Sequence, residues 1–415
     1  MSEFLIIVTN ILLFITLYAQ VLLLFTFFEK KNVFANTGGG DDAPLQRYPI
    51  VTIVVPVWNE EKTLGGTIES LLALDYPKDK LDIIIVDDGS TDHTREVANT
   101  FKSHPEVRVY SKTNGGKHTA VNLGISKAKG EFLGCLDADS FVDKDALTRI
   151  VRCFEDPKVM AVTPAIKVHT PENMLQKMQS VEYDMGIFLR KVYGSMNAIH
   201  VAPGPFSIFR KEVFDKLGGY IKAHNTEDME FAMRMHKNHF PIANVYDSYV
   251  YTVTPKTVKG LYKQRLRWVY GFLENASDYR SMIFNRKYGN LGMFTLPAAV
   301  ISIFAALFFT GLAISRLLTS VWRKMVEIQA VGIPLHFEWP HFDWFFVNTS
   351  ETAVVVYALS LSTIFVILVG KKLSEGNMRP NMNMVYFFFF YGIIAPAWLF
   401  KAVYNVALNK KTTWR

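Results

Sequence analysis

GEFLGCLDADS, Gly130 to Ser140, decides how this chain folds. Phe132 to Leu136 suit a buried strand, and that strand runs straight into two aspartates separated by one alanine. Like charges so close repel, and burial makes the repulsion worse. Something positive belongs beside them, either an ordinary basic side chain or a metal ion carrying a phosphate. The same arrangement stands upstream in LDIIIVDDGS, Leu81 to Ser90, a second buried strand ending in acids. PIVTIVVPV, Pro49 to Val57, is β-branched and nearly all apolar, which predicts a central strand covered on both faces. Asn59 is placed to cap a helix running through Ala73, and Asp92 to cap another. VRVYSK reads as a short strand and Lys117 to Lys129 as a helix. Strands alternating with helices predict an α/β domain with a mostly parallel sheet and right-handed crossovers. In such sheets ligands bind beyond the carboxyl ends of the strands. Both acidic pairs, Asp87-Asp88 and Asp137/Asp139, sit at such ends.

Outside this block the chain turns apolar; half of its 415 residues are hydrophobic. Phe4 to Phe28 has no formal charge and exceeds the roughly 20 residues that a helix needs to cross a bilayer. Glu3 precedes it and Glu29, Lys30 and Lys31 follow, flanks that predict an uncleaved anchor with its N-terminus outside rather than a signal peptide. Three more apolar runs follow: Leu291 to Ile314, Thr352 to Gly370 and Met384 to Leu408. The expected organisation is an anchor at residues 1–30, a linker at 31–48 containing TGGGDD (Thr37 to Asp42), and a cytosolic α/β domain at 49–256. An amphipathic interface helix follows at 257–290, then a transmembrane region of about three helices at 291–415. Counting spans puts the end of the chain outside, whereas the basic tail NKKTTWR favours the cytosol; a re-entrant last segment, broken at Pro396, would reconcile the two.

The net charge of +7 suits a protein held against anionic lipid and handling an anionic substrate. No basic-aromatic array of the kind that binds single strands is present, so nucleic acid is not an expected partner. Cys135 and Cys153 are too few and too badly placed for a disulfide framework or a zinc site.

Four local patterns carry the chemistry. In VDDGSTD, Val86 to Asp92, a carboxylate just past a strand can hydrogen-bond a base or ribose; the plainer alternative is a turn with a helix cap. In NGGK, Asn114 to Lys117, glycines let backbone N–H groups approach a phosphate at a helix N-terminus, and Lys117 adds a full charge. The spacing of a P-loop is absent. In LDADS, Asp137 and Asp139 can place one carboxylate on a ribose and another on Mg²⁺ or Mn²⁺, hard cations that prefer oxygen; the alternative is two solvated acids. The fourth pattern joins NTED, Asn225 to Asp228, with QRLRW, Gln264 to Trp268. An acid opening a helix can serve as a general base. At about 100° per residue, Gln264, Arg267, Trp268 and Gly271 share one narrow stripe of a helix from Val258 to Leu273, opposite its apolar face. Arg267 can then hold a diphosphate and Trp268 offer a flat surface to a sugar, unless the indole and arginines merely meet lipid headgroups.

Taken together and in this order, VDDGS, DAD, TED and QxxRW resemble the family 2 glycosyltransferases of the GT-A fold, a Rossmann-like mixed sheet. Within them the chain looks like the membrane-integrated synthases of hyaluronan, chitin oligomers, poly-N-acetylglucosamine and cellulose. The resemblance implies that Pro56, Glu60, Asp87 and Asp88 frame the donor nucleotide, that Lys117 touches the diphosphate, and that Asp137 takes the ribose or phosphate side. It assigns the metal to Asp139 and the catalytic base to Asp228, with Glu227 beside it. Gln264, Arg267 and Trp268 would hold the diphosphate and acceptor sugar, with Gly204, in the turn APGPF, near the acceptor end. The implied activity is inverting transfer of N-acetylglucosamine or glucose from a UDP-sugar to a growing β-linked polysaccharide, exported through the membrane helices. A single transfer to a lipid, as in relatives of ceramide glucosyltransferase, is the alternative, and a non-catalytic nucleotide-sugar binder a remote one. The chain departs from relatives in carrying Pro255-Lys256-Thr257 where an acid often precedes the QxxRW helix, and in lacking the regulatory nucleotide domain of cellulose synthases.

Overall fold

The computed structural model describes residues 3–30, 45–332 and 348–410. They divide into two compact units, Met1–Leu24 with Ala298–Phe365, and Phe25–Pro297 with Val366–Arg415. The expected TGGGDD linker and the end of the basic tail lie outside the described residues.

The second unit is built on eight strands: β1 (Val51–Val57), β2 (Leu81–Asp87), β3 (Val107–Ser111), β4 (Phe132–Cys135), β5 (Ser140–Val142), β6 (Ala161–Val168), β7 (Ile208–Arg210) and β8 (Ile242–Thr252). They form one sheet in the order β3-β2-β1-β4-β7-β6-β8-β5. From β3 to β4 all pairings are parallel. Beyond β4 the sheet is mixed: β7 is antiparallel to both neighbours, β6 and β8 run parallel, and β5 is antiparallel to β8. The alternation of strand and helix that predicts a parallel sheet therefore holds for one half only.

The apolar runs are explained by their two faces. Ile53, Val55, Ile83 and Ile85 enter one core, while Val54, Ile84 and Val86 enter a second on the other side. Fully burying each such side chain contributes about 1.5–3 kcal/mol. Pro56 is tolerated in this central strand because the β1–β4 ladder stops at Val54, so its missing N–H falls where no neighbour needs it.

The helices, in chain order, are α1 (Glu3–Glu29), α2 (Leu64–Leu72), α3 (Thr94–Thr100), α4 (Lys117–Lys127), α5 (Ala146–Cys153), α6 (Met174–Ser195), α7 (Lys211–Leu217), α8 (Glu227–Lys237), α9 (Val258–Asp278), α10 (Leu296–Val331), α11 (Glu351–Glu375), α12 (Met382–Tyr386) and α13 (Gly392–Ala407). Asn59 does not cap α2, which starts five residues later. It sits at φ +56°, and its Oδ1 accepts the Thr91 N–H at 2.8 Å, tying the end of β1 to the turn after β2. Asp92 does serve the start of α3, accepting the Thr94 N–H at 3.0 Å.

Among the described residues, four helical segments are long and apolar enough to cross a membrane: Glu3–Glu29, Leu291–Val331, Glu351–Glu375 and Met382–Ala407. In the first unit α1 and α11 run parallel, since Asn10 pairs with Thr352 and, ten residues on, Gln20 with Thr363. Pro396 does not break the last segment, because α13 continues through it. A π-helical turn, Phe387–Tyr391, stands directly upstream, where the regular carbonyl register is already interrupted and a missing donor is tolerated.

Candidate active site

The two acidic strand ends differ in what surrounds them. Asp87 closes β2 and its Oδ1 accepts the Ser90 N–H at 2.9 Å. Asp88 is buried and fully engaged: it accepts N–H groups from Gly115 at 3.0 Å and Gly116 at 2.8 Å, and pairs with Lys112 at 2.7 Å. Those two glycine amides, which the NGGK pattern predicts for a phosphate, are spent on Asp88. The carboxylate thus shapes the loop that delivers Lys117 to the start of α4.

Lys117 is the hub. Its Nζ lies 2.5 Å from Asp137 Oδ1 and 4.0 Å from Glu227 Oε1, bridging the end of β4 to the start of α8. Burial opposes the ammonium charge, but Asp137 and then Glu227 outweigh it and hold its pKa well above the usual lysine value. Gly204 comes so close that a Cβ there would stand 2.8 Å from Lys117 Nζ and 3.3 Å from the Asp137 carboxylate. The turn carrying Gly204 therefore walls this ion pair, and a side chain there would displace the Lys117 ammonium.

Asp139 has no such counter-charge. Its described side-chain hydrogen bond comes from the Ser140 hydroxyl at 3.3 Å, and among the described residues it forms no ion pair. Burial, then Asp137, then Glu60 push its carboxyl up to about 7, against the pull of Lys117. Glu60 itself accepts from the Thr63 hydroxyl at 2.7 Å while its own N–H donates to Thr94. No group of three or more metal-binding side chains occurs among the described residues, so no all-protein cage exists there. Asp139, a carboxylate with no ion-pair partner among the described residues, fits a hard cation that takes most of its other ligands from phosphate and water.

Asp228 lies in the first turn of α8, where burial and then Glu227 push its carboxyl up to about 6, against Lys117 and Arg267. The start of α8 is fixed against α9 by a close approach. A Cβ on Gly271 would fall 2.3 Å from Thr226 Oγ1, and Asn275 donates to that same hydroxyl at 2.9 Å. Arg267 donates to the Asn225 carbonyl at 3.3 Å. The NTED turn and the QRLRW helix are thus one assembly.

Arg265 is the residue the helical stripe misses. It is 3% exposed, pairs with Glu182 of α6 at 2.7 Å, stacks over the Trp268 ring at 4.2 Å and donates to Gln264 Oε1 at 2.6 Å. Glu182 also accepts from the Tyr391 hydroxyl at 2.9 Å. Removing one partner of such a buried pair costs about 3–5 kcal/mol, because the other charge is stranded. The sequence signal for it is an arginine on the apolar face of an amphipathic helix, which requires a buried acid opposite. Lys256 makes an exposed pair with Glu172 at 2.7 Å, and Thr257 caps α9 through the Gly260 N–H.

Lys117, Asp137, Glu227, Asp228 and Arg267 therefore converge, with Asp139 and Glu60 adjoining through their charges. Residues 52–218 match the family model described as glycosyl transferase family 2. A poly-beta-1,6-N-acetyl-D-glucosamine synthase of Staphylococcus epidermidis is 31% identical over 262 residues, 62% of this chain and 63% of that protein. One of Staphylococcus aureus is 32% identical over 224 residues, 53% of this chain and 54% of that protein. The chain thus matches less than two thirds of the length of these curated relatives. A solved mannosyltransferase from Pyrobaculum calidifontis, in complex with GDP-Man and Mn²⁺, superposes with a TM-score of 0.58 over 96% of this chain and 99% of that one. At 19% identity that likeness shows the fold, a GT-A-like mixed sheet.

Proposed function

We propose that this chain, whose residues 52–218 match the family model described as glycosyl transferase family 2, is an inverting membrane glycosyltransferase that extends a β-linked polysaccharide from a UDP-sugar. N-acetylglucosamine is the first candidate sugar, by likeness to the two staphylococcal synthases. One observation carries the reading: Lys117 draws the acid at the end of β4 and the acid opening α8 around a single cation, at 2.5 and 4.0 Å. A diphosphate bound there would exchange one anionic partner of Lys117 for another.

In this mechanism Asp228 takes the proton from the acceptor hydroxyl, which attacks the anomeric carbon from the face opposite the nucleotide. A base poised near 6 is ionised at neutral pH yet still basic enough to accept a proton. Lys117 and Arg267 meet the negative charge that gathers on the leaving diphosphate, inside a cleft where that attraction exceeds its value in water. Asp139, with Asp137 beside it, would hold Mg²⁺ or Mn²⁺; when bound, such an ion supplies further positive charge against the departing group. Pro56, Glu60 and Asp87 frame the nucleotide in this reading, while Asp88 acts one step back by holding the Gly115–Gly116 loop. Trp268, backed by Arg265, offers its ring to the acceptor sugar. Four helical segments long and apolar enough to cross a membrane support a bilayer-embedded enzyme, and the basic Lys30 and Lys31 after the first of them favour a domain in the cytosol.

The test is a donor screen on purified full-length protein in detergent and in membranes, with radiolabelled UDP-sugars and either Mn²⁺ or Mg²⁺. A ladder of labelled polymer with matching UDP release is expected. One chloroform-soluble product would replace the polymer reading with single transfer to a lipid. No UDP release from any donor would remove the enzymatic reading altogether.

A further inference from the structure

We propose that copies of this chain associate through α10, whose far end stands beyond the bilayer and joins a parallel bundle of more than two helices. Only the first compact unit is involved, because that end of α10 lies within Ala298–Phe365. The inference rests on the membrane reading of the apolar spans and not on the catalytic one.

Length comes first. Leu291–Val331 has 41 residues, whereas roughly 20 suffice to cross a bilayer. Charge shows which part is surplus. Residues 291–314 carry none, while Arg316, Arg323, Lys324 and Glu327 follow. Those side chains keep residues 315–331 out of the hydrocarbon, so about 25 Å of helix stands past it. Among the described residues nothing covers this part: every position from 313 to 332 is exposed.

A helix meant for water alone would be polar all round, and this one is not. Ile314, Leu318, Val321, Met325 and Ile328 follow one another at alternating steps of four and three. That spacing makes a seam for neighbouring helices and winds them together. Leu317 and Trp322 widen the same face, and Leu318 and Trp322 are 63% and 66% exposed. At about 100° per residue, Arg316, Ser320, Arg323 and Glu327 take the opposite side. Lys324, on the flank, is paired with Glu327 at 3.1 Å. The stripe also runs back into the bilayer: Phe304, Gly311, Leu318 and Met325 recur every seventh residue. A Cβ on Gly311 would meet nothing within 4 Å, and an open glycine lets helix backbones approach closely in lipid.

The occupant that fits is the same helix from other copies. A bilayer holds all copies in one orientation and at one height, so they meet parallel and in register. In that register the flanking positions of neighbouring helices meet five residues apart. Leu317 then faces Trp322 of a second copy, and Lys324 faces Gln329. Apolar meets apolar and the cation meets a neutral amide, so no like charges oppose one another. A foreign partner would not require the stripe to complement itself. Stoichiometry follows from the two seam positions. Leu318 and Met325 occupy one, and the β-branched Ile314, Val321 and Ile328 the other, an order that favours three or four strands over two. The width agrees, because a pair of helices covers the seam alone, whereas a larger bundle also covers Leu317 and Trp322.

The test uses full-length protein in phosphatidylcholine–phosphatidylglycerol vesicles and a short bis-maleimide crosslinker. Leu318→Cys, Val321→Cys and Met325→Cys sample the seam, Ser320→Cys and Arg323→Cys the opposite side, and wild type is the blank for Cys135 and Cys153. Strong oligomer bands are expected from the three seam variants and none above the blank from the other two. Equal bands from both sets would indicate random collision, and no seam band would indicate no self-contact; either overturns the proposal. A second measurement needs no cysteine. The chain, fused to a fluorescent protein and diluted to single spots in the same vesicles, should bleach in three or four steps, falling to one in Leu318→Glu. One or two steps in the wild type overturns the bundle. So does crosslinking of the seam cysteines in native membranes to a different protein alone, which would make another chain the occupant.

Discussion

Asp88 and Asp139 stand just past the ends of β2 and β4, two strands of the same sheet with β1 between them, yet one is saturated and the other open. Asp88 receives two N–H groups and a lysine, and the protein itself neutralises it. Asp139 receives one hydroxyl and faces two other acids, which together with burial push its carboxyl up to about 7. An acid that the fold has already satisfied is part of the scaffold; one left with a surplus of negative charge is an invitation to a cation or a cationic transition state. The same distinction separates Asp137, held by Lys117, from Asp228, whose carboxyl burial and Glu227 raise to about 6.

The largest expected effect tests the open acids. Asp228→Asn should lower UDP release on the order of 10²–10⁴-fold, the usual contribution of a general base, with the thermal midpoint little changed. The wild-type pH profile should show the same group. The carboxylate is the active form, so kcat/KM should fall about tenfold per unit as pH drops below about 6, and that limb should vanish in the variant. A wild-type profile flat from pH 5 to 8 would count against Asp228 as the base.

Asp139→Asn comes next, with a loss of on the order of 10²–10³-fold, several kcal/mol of charge stabilisation. The expected signature is that raising Mn²⁺ no longer restores the rate. Full metal-dependent turnover in this variant would place the cation elsewhere.

Asp88→Asn should behave differently in kind. It leaves Lys112 and two glycine amides without their charged acceptor, a cost of about 1.5–3 kcal/mol in stability. Melting should shift downward and KM for the donor should rise, because the loop before Lys117 loosens, while metal dependence persists. If instead the metal requirement were lost and the melting point unchanged, the contrast between the two acids would fail.

Much of this contrast is invisible in the sequence. The buried strands β1, β2 and β4, the helix starting at Lys117 and the helix starting at Val258 are legible because apolar runs and helical periodicity are local signals. The mixed half of the sheet is not. It depends on β7, three residues long, pairing Ile208 with Gly134 across more than seventy residues. The donors that satisfy Asp88 come from Lys112, Gly115 and Gly116, and no spacing rule connects them to an acid two dozen residues earlier. Arg265 was legible in principle, as a charge on an apolar helix face, but Glu182, its partner, is named only by the packing of α6 on α9.

The smallest expected effect comes from a pair that is plain in the structure yet outside the cleft. Lys256 and Glu172 lie 2.7 Å apart, as close as Arg265 and Glu182, but their side chains are 54% and 61% exposed. Water screens such a pair, and long side chains lose entropy in forming it, so it contributes about 0–1 kcal/mol. Lys256→Ala should therefore move the thermal midpoint by no more than about 2 °C and leave UDP release within about twofold of wild type. Distance alone would rank the two pairs as equals. A loss of turnover in Lys256→Ala comparable with that of Asp88→Asn would mean that the position before α9 acts on the site through something other than its ion pair.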